Sequence, residues 1–242
     1  MIFSENLPCM RFVISSLSLT AFLAGQSLES PNSYVALVAG ASLPTGPSAS
    51  KGLIYPTSGY LNSGAALGLQ LTTFIMSYLS LNLRVTQSFL PMDAKALGRG
   101  GALFPAGVQI PKTPTVSHTL IGFGAGTGIR LDFVSFYVPI QFAMGVYSAP
   151  AIEGIQSATK TWLQDKHSAF QVGLSTGVVI NFHVLDQIPI GLSLLYSSMR
   201  SGDQTFERRR YDRGTPDGTI FTYTAPIRTD LTEIGFLIGY EF

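Results

Sequence analysis

Residues 134–146 read VSFYVPIQFAMGV, and their period separates strand from helix. The large apolar side chains Val134, Phe136, Val138, Ile140, Phe142, Met144 and Val146 occupy every second position. Ser135, Tyr137, Pro139, Gln141, Ala143 and Gly145 fall between them. Alternation of this kind sends one set of side chains to each face of a strand, whereas a helix would scatter the polar set around its circumference. Pro139 is the one discordant residue. It removes a ladder donor from mid-strand, so a bulge or a break in register is expected there.

The same period recurs on both sides of this stretch. Leu79, Leu81, Leu83 and Val85 alternate with Ser80, Asn82, Arg84 and Thr86. Phe170, Val172, Leu174, Val178, Ile180 and Phe182 alternate with a set that includes Gln171, Gly173, Ser175, Gly177 and Asn181. Ile234, Phe236, Ile238, Tyr240 and Phe242 complete the pattern, with Gly235, Gly239 and Glu241 between them. Eight strands are expected, near 33–43, 59–71, 76–90, 116–129, 134–148, 167–181, 188–200 and 228–242. Connections after the second, fourth and sixth are short, as at Arg130-Leu131-Asp132-Phe133. The others are long and hold most of the Pro and most of the charge, including Asp93, Lys95, Arg99 and Lys112. The last long loop carries Asp203, Glu207, Arg208, Arg209, Arg210, Asp212, Arg213 and Asp217.

Composition agrees with a wall rather than a bundle. The 242 residues are 46% hydrophobic and 12% charged, with a single Cys and a net charge of +1. Soluble domains average about 25% charged residues. Mean hydropathy is only +0.31, because the apolar residues are spread over alternate positions. No disulfide framework or Cys-based metal cluster is available, and no basic balance points to nucleic acid. A soluble lipocalin-like carrier with eight strands would turn its large apolar face inward and show Lys, Glu and Asp to water. Here the second face is Gly, Ala, Ser, Gln, Asn and Tyr, which suits a narrow packed lumen and leaves the apolar face to lipid. The expected fold class is therefore all-β, an eight-stranded antiparallel up-and-down transmembrane β-barrel. Phe74, Phe133, Phe182, Tyr240 and Phe242 at one end, with Phe89, Tyr147 and Tyr196 at the other, suggest two interfacial belts.

At the N-terminus, Arg11 precedes an uncharged run, residues 12–23, followed by Ala24, Gly25 and Ser27. This reads as a signal peptide over 1–26 with an approximate cleavage point, leaving a single barrel domain over 27–242. Translation could start at Met10, and Cys9 lies upstream of the apolar run.

The exported N-terminus, the eight alternating segments and the ending Gly239-Tyr240-Glu241-Phe242 resemble small bacterial outer-membrane β-barrel proteins, the group of the OmpA transmembrane domain and OmpX. The resemblance implies a C-terminal insertion signal at Phe236, Ile238, Tyr240 and Phe242, read by the barrel-insertion machinery. It also implies long loops outside the cell, both termini in the periplasm, outer-membrane lipid including lipopolysaccharide as surroundings, and a monomer. With no room after Phe242 for a periplasmic domain, a barrel-only protein is expected, a departure from full-length OmpA.

Candidate functional residues are few. Arg84 is expected to face the lumen with Glu233 as its partner across it, as a structural ion pair; a gate or proton-linked pair is the alternative. Arg208, Arg209, Arg210 and Arg213 could meet anionic head groups or surface polysaccharide, because guanidinium forks suit phosphate. A solvated loop with internal ion pairs explains the same residues. No catalytic, cofactor or metal site is expected. His167 and Ser168 are adjacent and point to opposite faces, His183 and Asp186 share a turn with no nearby Ser, and His118 stands apart. A lipid-modifying enzyme is thus the lesser alternative to a structural, surface-interaction or narrow-channel role. Residues 122–128, GFGAGTG, miss the dinucleotide fingerprint and read as small luminal residues.

Overall fold

A computed structural model describes residues 33–51, 60–76, 78–99, 104–131, 133–185 and 187–242. The expected signal peptide, with Cys9, Met10 and Arg11, lies outside the described residues, as does Asp186. Among the described residues, ten antiparallel strands form one sheet: β1 (Tyr34–Thr45), β2 (Gly64–Met76), β3 (Leu79–Pro91), β4 (Thr115–Leu131), β5 (Val134–Ala149), β6 (Ile152–Ile155), β7 (Lys160–Gln164), β8 (His167–Leu185), β9 (Ile188–Asp212) and β10 (Thr215–Glu241). Two four-residue helices, α1 (Gly46–Ala49) and α2 (Ala94–Leu97), lie in the connections. Eight strands close into a ring in the order β1-β2-β3-β4-β5-β8-β9-β10, with β10 pairing back onto β1 from Tyr34↔Glu241 to Thr45↔Asp230. Closure pairs the strand edges, which an open sheet would expose.

The alternation read from sequence becomes an inside and an outside. Leu37, Leu69, Leu83, Phe123, Phe142, Leu174, Leu194 and Phe236, one from each ring strand, are exposed on the outer wall. Their polar or small neighbours point inward: Ser80, Asn82, Arg84, Thr86 and Ser88 of β3 are all buried. Close strand approach needs some of the glycines. A Cβ on Gly124 would sit 2.0 Å from the Ile140 carbonyl oxygen.

Several expected boundaries move. β2 covers 64–76 rather than 59–71, and β3 starts at 79 rather than 76. Phe74, expected beyond the strand end, lies within β2 and packs against an interior cluster instead of joining an interfacial belt. Tyr147 is likewise buried, in the core at the opposite end. Pro139 produces no bulge. Gly126↔Pro139 pairs in register with β4, and on the β8 side the pairing skips 138–139 but resumes in the same register at Ile140↔Thr176. Thr176 Oγ1 donates to the Pro139 carbonyl at 2.9 Å, occupying the gap.

The largest difference concerns the last long loop. Residues 201–227 are not a loop: β9 and β10 run on beyond the ring as a paired hairpin, with register shifts between Pro226 and Arg228 and between Pro216 and Ile220. β7 adds to β9 through Gln164↔Arg208 and Lys160↔Asp212, and β6 pairs with β7. The long connections thus build a cap with its own core of Tyr60, Leu61, Leu90, Met92, Leu97, Phe104, Val108, Tyr147, Ile152, Trp162 and Leu231.

Candidate functional site in the ring interior

The interior is polar because each strand turns its small and polar set inward, and those groups must find partners away from water. Arg84 on β3 and Glu233 on β10 are both buried, and Nη2 donates to Oε2 at 2.9 Å. Arg84 Nε donates to Thr86 Oγ1 at 3.2 Å and Nη1 to Gln70 Oε1 at 3.3 Å. Ser88 Oγ donates to the second Glu233 oxygen at 3.2 Å. Because β1 and β2 stand between β3 and β10 in the wall, the pair meets through the interior.

Toward the short-turn end, Gln70 Nε2 donates to the Tyr34 hydroxyl at 2.9 Å and also to the Tyr137 hydroxyl. Thr72 Oγ1 donates to Asn82 Oδ1 at 3.0 Å. These two tyrosines pack edge to face, their ring centres 6.3 Å apart. Toward the cap, His118 Nε2 meets Gln171 Oε1 at 3.1 Å, and Gln171 Nε2 donates to Thr229 Oγ1 at 3.0 Å.

Next to the short turns lies a cluster that local sequence spacing did not reveal. His183 Nε2 is 2.9 Å from Ser135 Oγ, and its Nδ1 contacts Glu241 Oε1. The expectation that no serine lies near His183 is therefore corrected. Ser135 is 48 residues away in sequence, and ring closure rather than spacing brings the third member, Glu241, to the same place. His167 contacts the ring of Phe206 in the hairpin. Among the described residues, no group of three His, Cys, Asp or Glu could hold a metal ion.

The four arginines do not share one surface. Arg208 is buried, with its guanidinium 5.7 Å from the Phe221 ring centre and 6.0 Å from that of Phe104. Burial pushes this group below its ordinary value, opposed by the nearby Tyr223. Arg209 lies 3.5 Å from Glu207 and 3.8 Å from Asp165. Arg210 pairs with Asp217 and lies over the Trp162 ring. Arg213 sits at the hairpin turn with φ of 50°. Phe236, Ile238, Tyr240 and Phe242 all stand on the exposed wall.

No family model matches the chain, and no curated protein matches it. Among solved structures it is similar to a major outer membrane protein from Thermus thermophilus, with 11% identity, a TM-score of 0.46, and coverage of 87% of this chain and 99% of that one. It is also similar to the outer membrane protease OmpT from Escherichia coli, with 7% identity, a TM-score of 0.42, and coverage of 90% and 99%. The translocator domain of autotransporter NalP from Neisseria meningitidis follows, with 11% identity, a TM-score of 0.30, and coverage of 99% and 100%. At these scores the likeness fixes neither strand number nor activity.

Proposed function

We propose that the chain is a bacterial outer-membrane protein, an eight-stranded up-and-down barrel that anchors a folded cap at the cell surface. The observation that carries this reading is the inverted polarity of the ring: an exposed Leu or Phe on every ring strand, and charged and amide side chains inside. Water outside such a wall would face a continuous apolar surface far larger than soluble monomers expose. Lipid suits it, and a closed ring leaves no unpaired edge in lipid. The soluble-carrier alternative needs the opposite arrangement.

The filled interior favours an anchor over an open channel. An eight-stranded barrel is just wide enough to be occupied by side chains. Here the Arg84–Glu233 bridge crosses that space, and the cap core sits at the long-connection end. In this reading the cap is extracellular, and the short turns and both termini are periplasmic. The protein in detergent should give a β-dominated circular dichroism spectrum and heat-modifiable mobility; a helix-dominated spectrum would sink the barrel. In planar bilayers it should give no steady conductance, and discrete, lasting current steps would replace the anchor by a channel.

A further inference from the structure

Ser135, His183 and Glu241 stand in the spatial order that acyl transfer requires: a hydroxyl, an imidazole and a carboxylate. We propose that this cluster is a hydrolytic site for short-chain carboxylic esters, with Ser135 as nucleophile, His183 as general base and Glu241 as its positioning residue. The proposal goes beyond the anchor reading.

The geometry meets the requirements one by one. His183 Nε2 lies 2.9 Å from Ser135 Oγ, within reach to accept its proton. Nδ1 contacts the Glu241 carboxylate, and a proton on Nδ1 facing that carboxylate would leave the Nε2 lone pair to the Ser135 hydroxyl. The backbones are pinned: the His183 N–H donates to Phe133 O and the Glu241 N–H to Gln187 O, both at 2.8 Å. A second observation is independent of the triad. Asn181 pairs directly opposite Ser135 in the β5–β8 register and is buried. Its side chain is within hydrogen-bonding reach of the Tyr34 hydroxyl, a contact the amide would share with or give up to a bound carbonyl oxygen. Directly opposed residues on one sheet face have Cβ atoms about 5 Å apart. The Asn181 amide is therefore placed to donate to a carbonyl oxygen whose carbon is attacked by Ser135, as side-chain amides do in oxyanion holes.

Ser135 is the second residue of β5, two residues from the turn residue Phe133, so it lies about 7 Å along the strand from that end at about 3.3 Å per residue. Tyr137 and Val179, two residues further in on β5 and β8, are buried and pack in one cluster with Tyr34, an arrangement that suits a short acyl chain rather than a long one. In the reaction, Ser135 Oγ bonds to the ester carbonyl carbon while His183 Nε2 takes its proton. The bond from that carbon to the alkoxide oxygen then breaks, and the proton passes to the departing alcohol. A solvent water next attacks the acyl-Ser135 ester. Its proton goes to His183 and then to Ser135 Oγ, releasing the carboxylic acid.

The test uses the whole protein in detergent micelles, with heat-modifiable mobility checked for each variant. A fluorophosphonate probe should add covalently to Ser135, located by peptide mass mapping, and p-nitrophenyl butyrate should be hydrolysed. Ser135→Ala should abolish both. His183→Gln should slow both by at least about 100-fold. Glu241→Gln should slow both, and Glu241→Asp should recover part of the loss. No adduct on Ser135 in correctly folded protein would overturn the proposal. Labelling that is unchanged in folded His183→Gln, or ester hydrolysis that survives Ser135→Ala, would overturn it as well.

Discussion

Glu233 supplies the only carboxylate that the described structure places on the buried Arg84 guanidinium. Removing one partner of a buried ion pair leaves an uncompensated charge and typically costs about 3–5 kcal/mol. Glu233→Ala should therefore lower the urea midpoint of vesicle-inserted protein strongly, and Arg84→Met added to it should recover much of the loss. Asp93 offers a milder, pH-dependent case in the cap. The hydrogen bond from Lys51, 2.7 Å away, and the Ala96 N–H hold its carboxyl below the ordinary value. A depressed folded value means that the contribution is present above the unfolded pKa of about 3.9 and is lost as pH falls through the folded value. Hydrogen exchange over residues 94–98 should be faster in Asp93→Asn than in wild type at neutral pH, and the difference should shrink as pH drops below about 4. Arg84 and Glu233 were legible because each is a lone charge in an alternating segment. Ser135 and Asn181 were not, since a Ser and an Asn on a small-residue face look the same whether or not they meet a histidine.

The strands were legible where alternation is unbroken and misread where it fades. In β5, Pro139 costs a pairing but not the register, because the ladder with β4 holds it on one side and Thr176 fills the other. In the hairpin, the run Glu207-Arg208-Arg209-Arg210 looks like a solvated loop. It is strand because Arg208 and Arg210 turn toward Phe104, Phe221 and Trp162, while Arg209 and Glu207 share the other face. Stems of long cationic side chains can cover apolar surface in this way. The hairpin belongs to the cap, so deleting 205–223 should leave heat-modifiable mobility intact while exposing the 94–110 and 150–165 segments to added protease. Loss of the mobility shift in that deletion would mean that ring and cap fold as one unit.

Over the whole molecule, two cores of different character are stacked along one axis. The ring core is mostly polar and hydrogen-bonded, with an apolar cluster that includes Tyr137, Val179, Leu195 and Leu237, and its counterpart in the cap is apolar, with Trp162, Phe104 and Leu90. Period-two patterning announces the first. The second is assembled from irregular segments whose apolar residues show no period, so only long-range packing defines it.

Ring closure also sets an order of events. The pairing of Tyr34 with Glu241 joins positions at opposite ends of the described chain. Non-local pairings of this kind form late, because closing the intervening chain costs entropy before any contact repays it. Seven of the eight wall seams can zip between sequence neighbours or across the short β6–β7 insertion, but the β10–β1 seam cannot. Until it forms, the two flanking edges are open templates for other strands. The rate of that single step therefore governs how long the nascent wall is vulnerable to mispairing, and an assembly factor that shielded one edge would act there rather than anywhere else in the sheet.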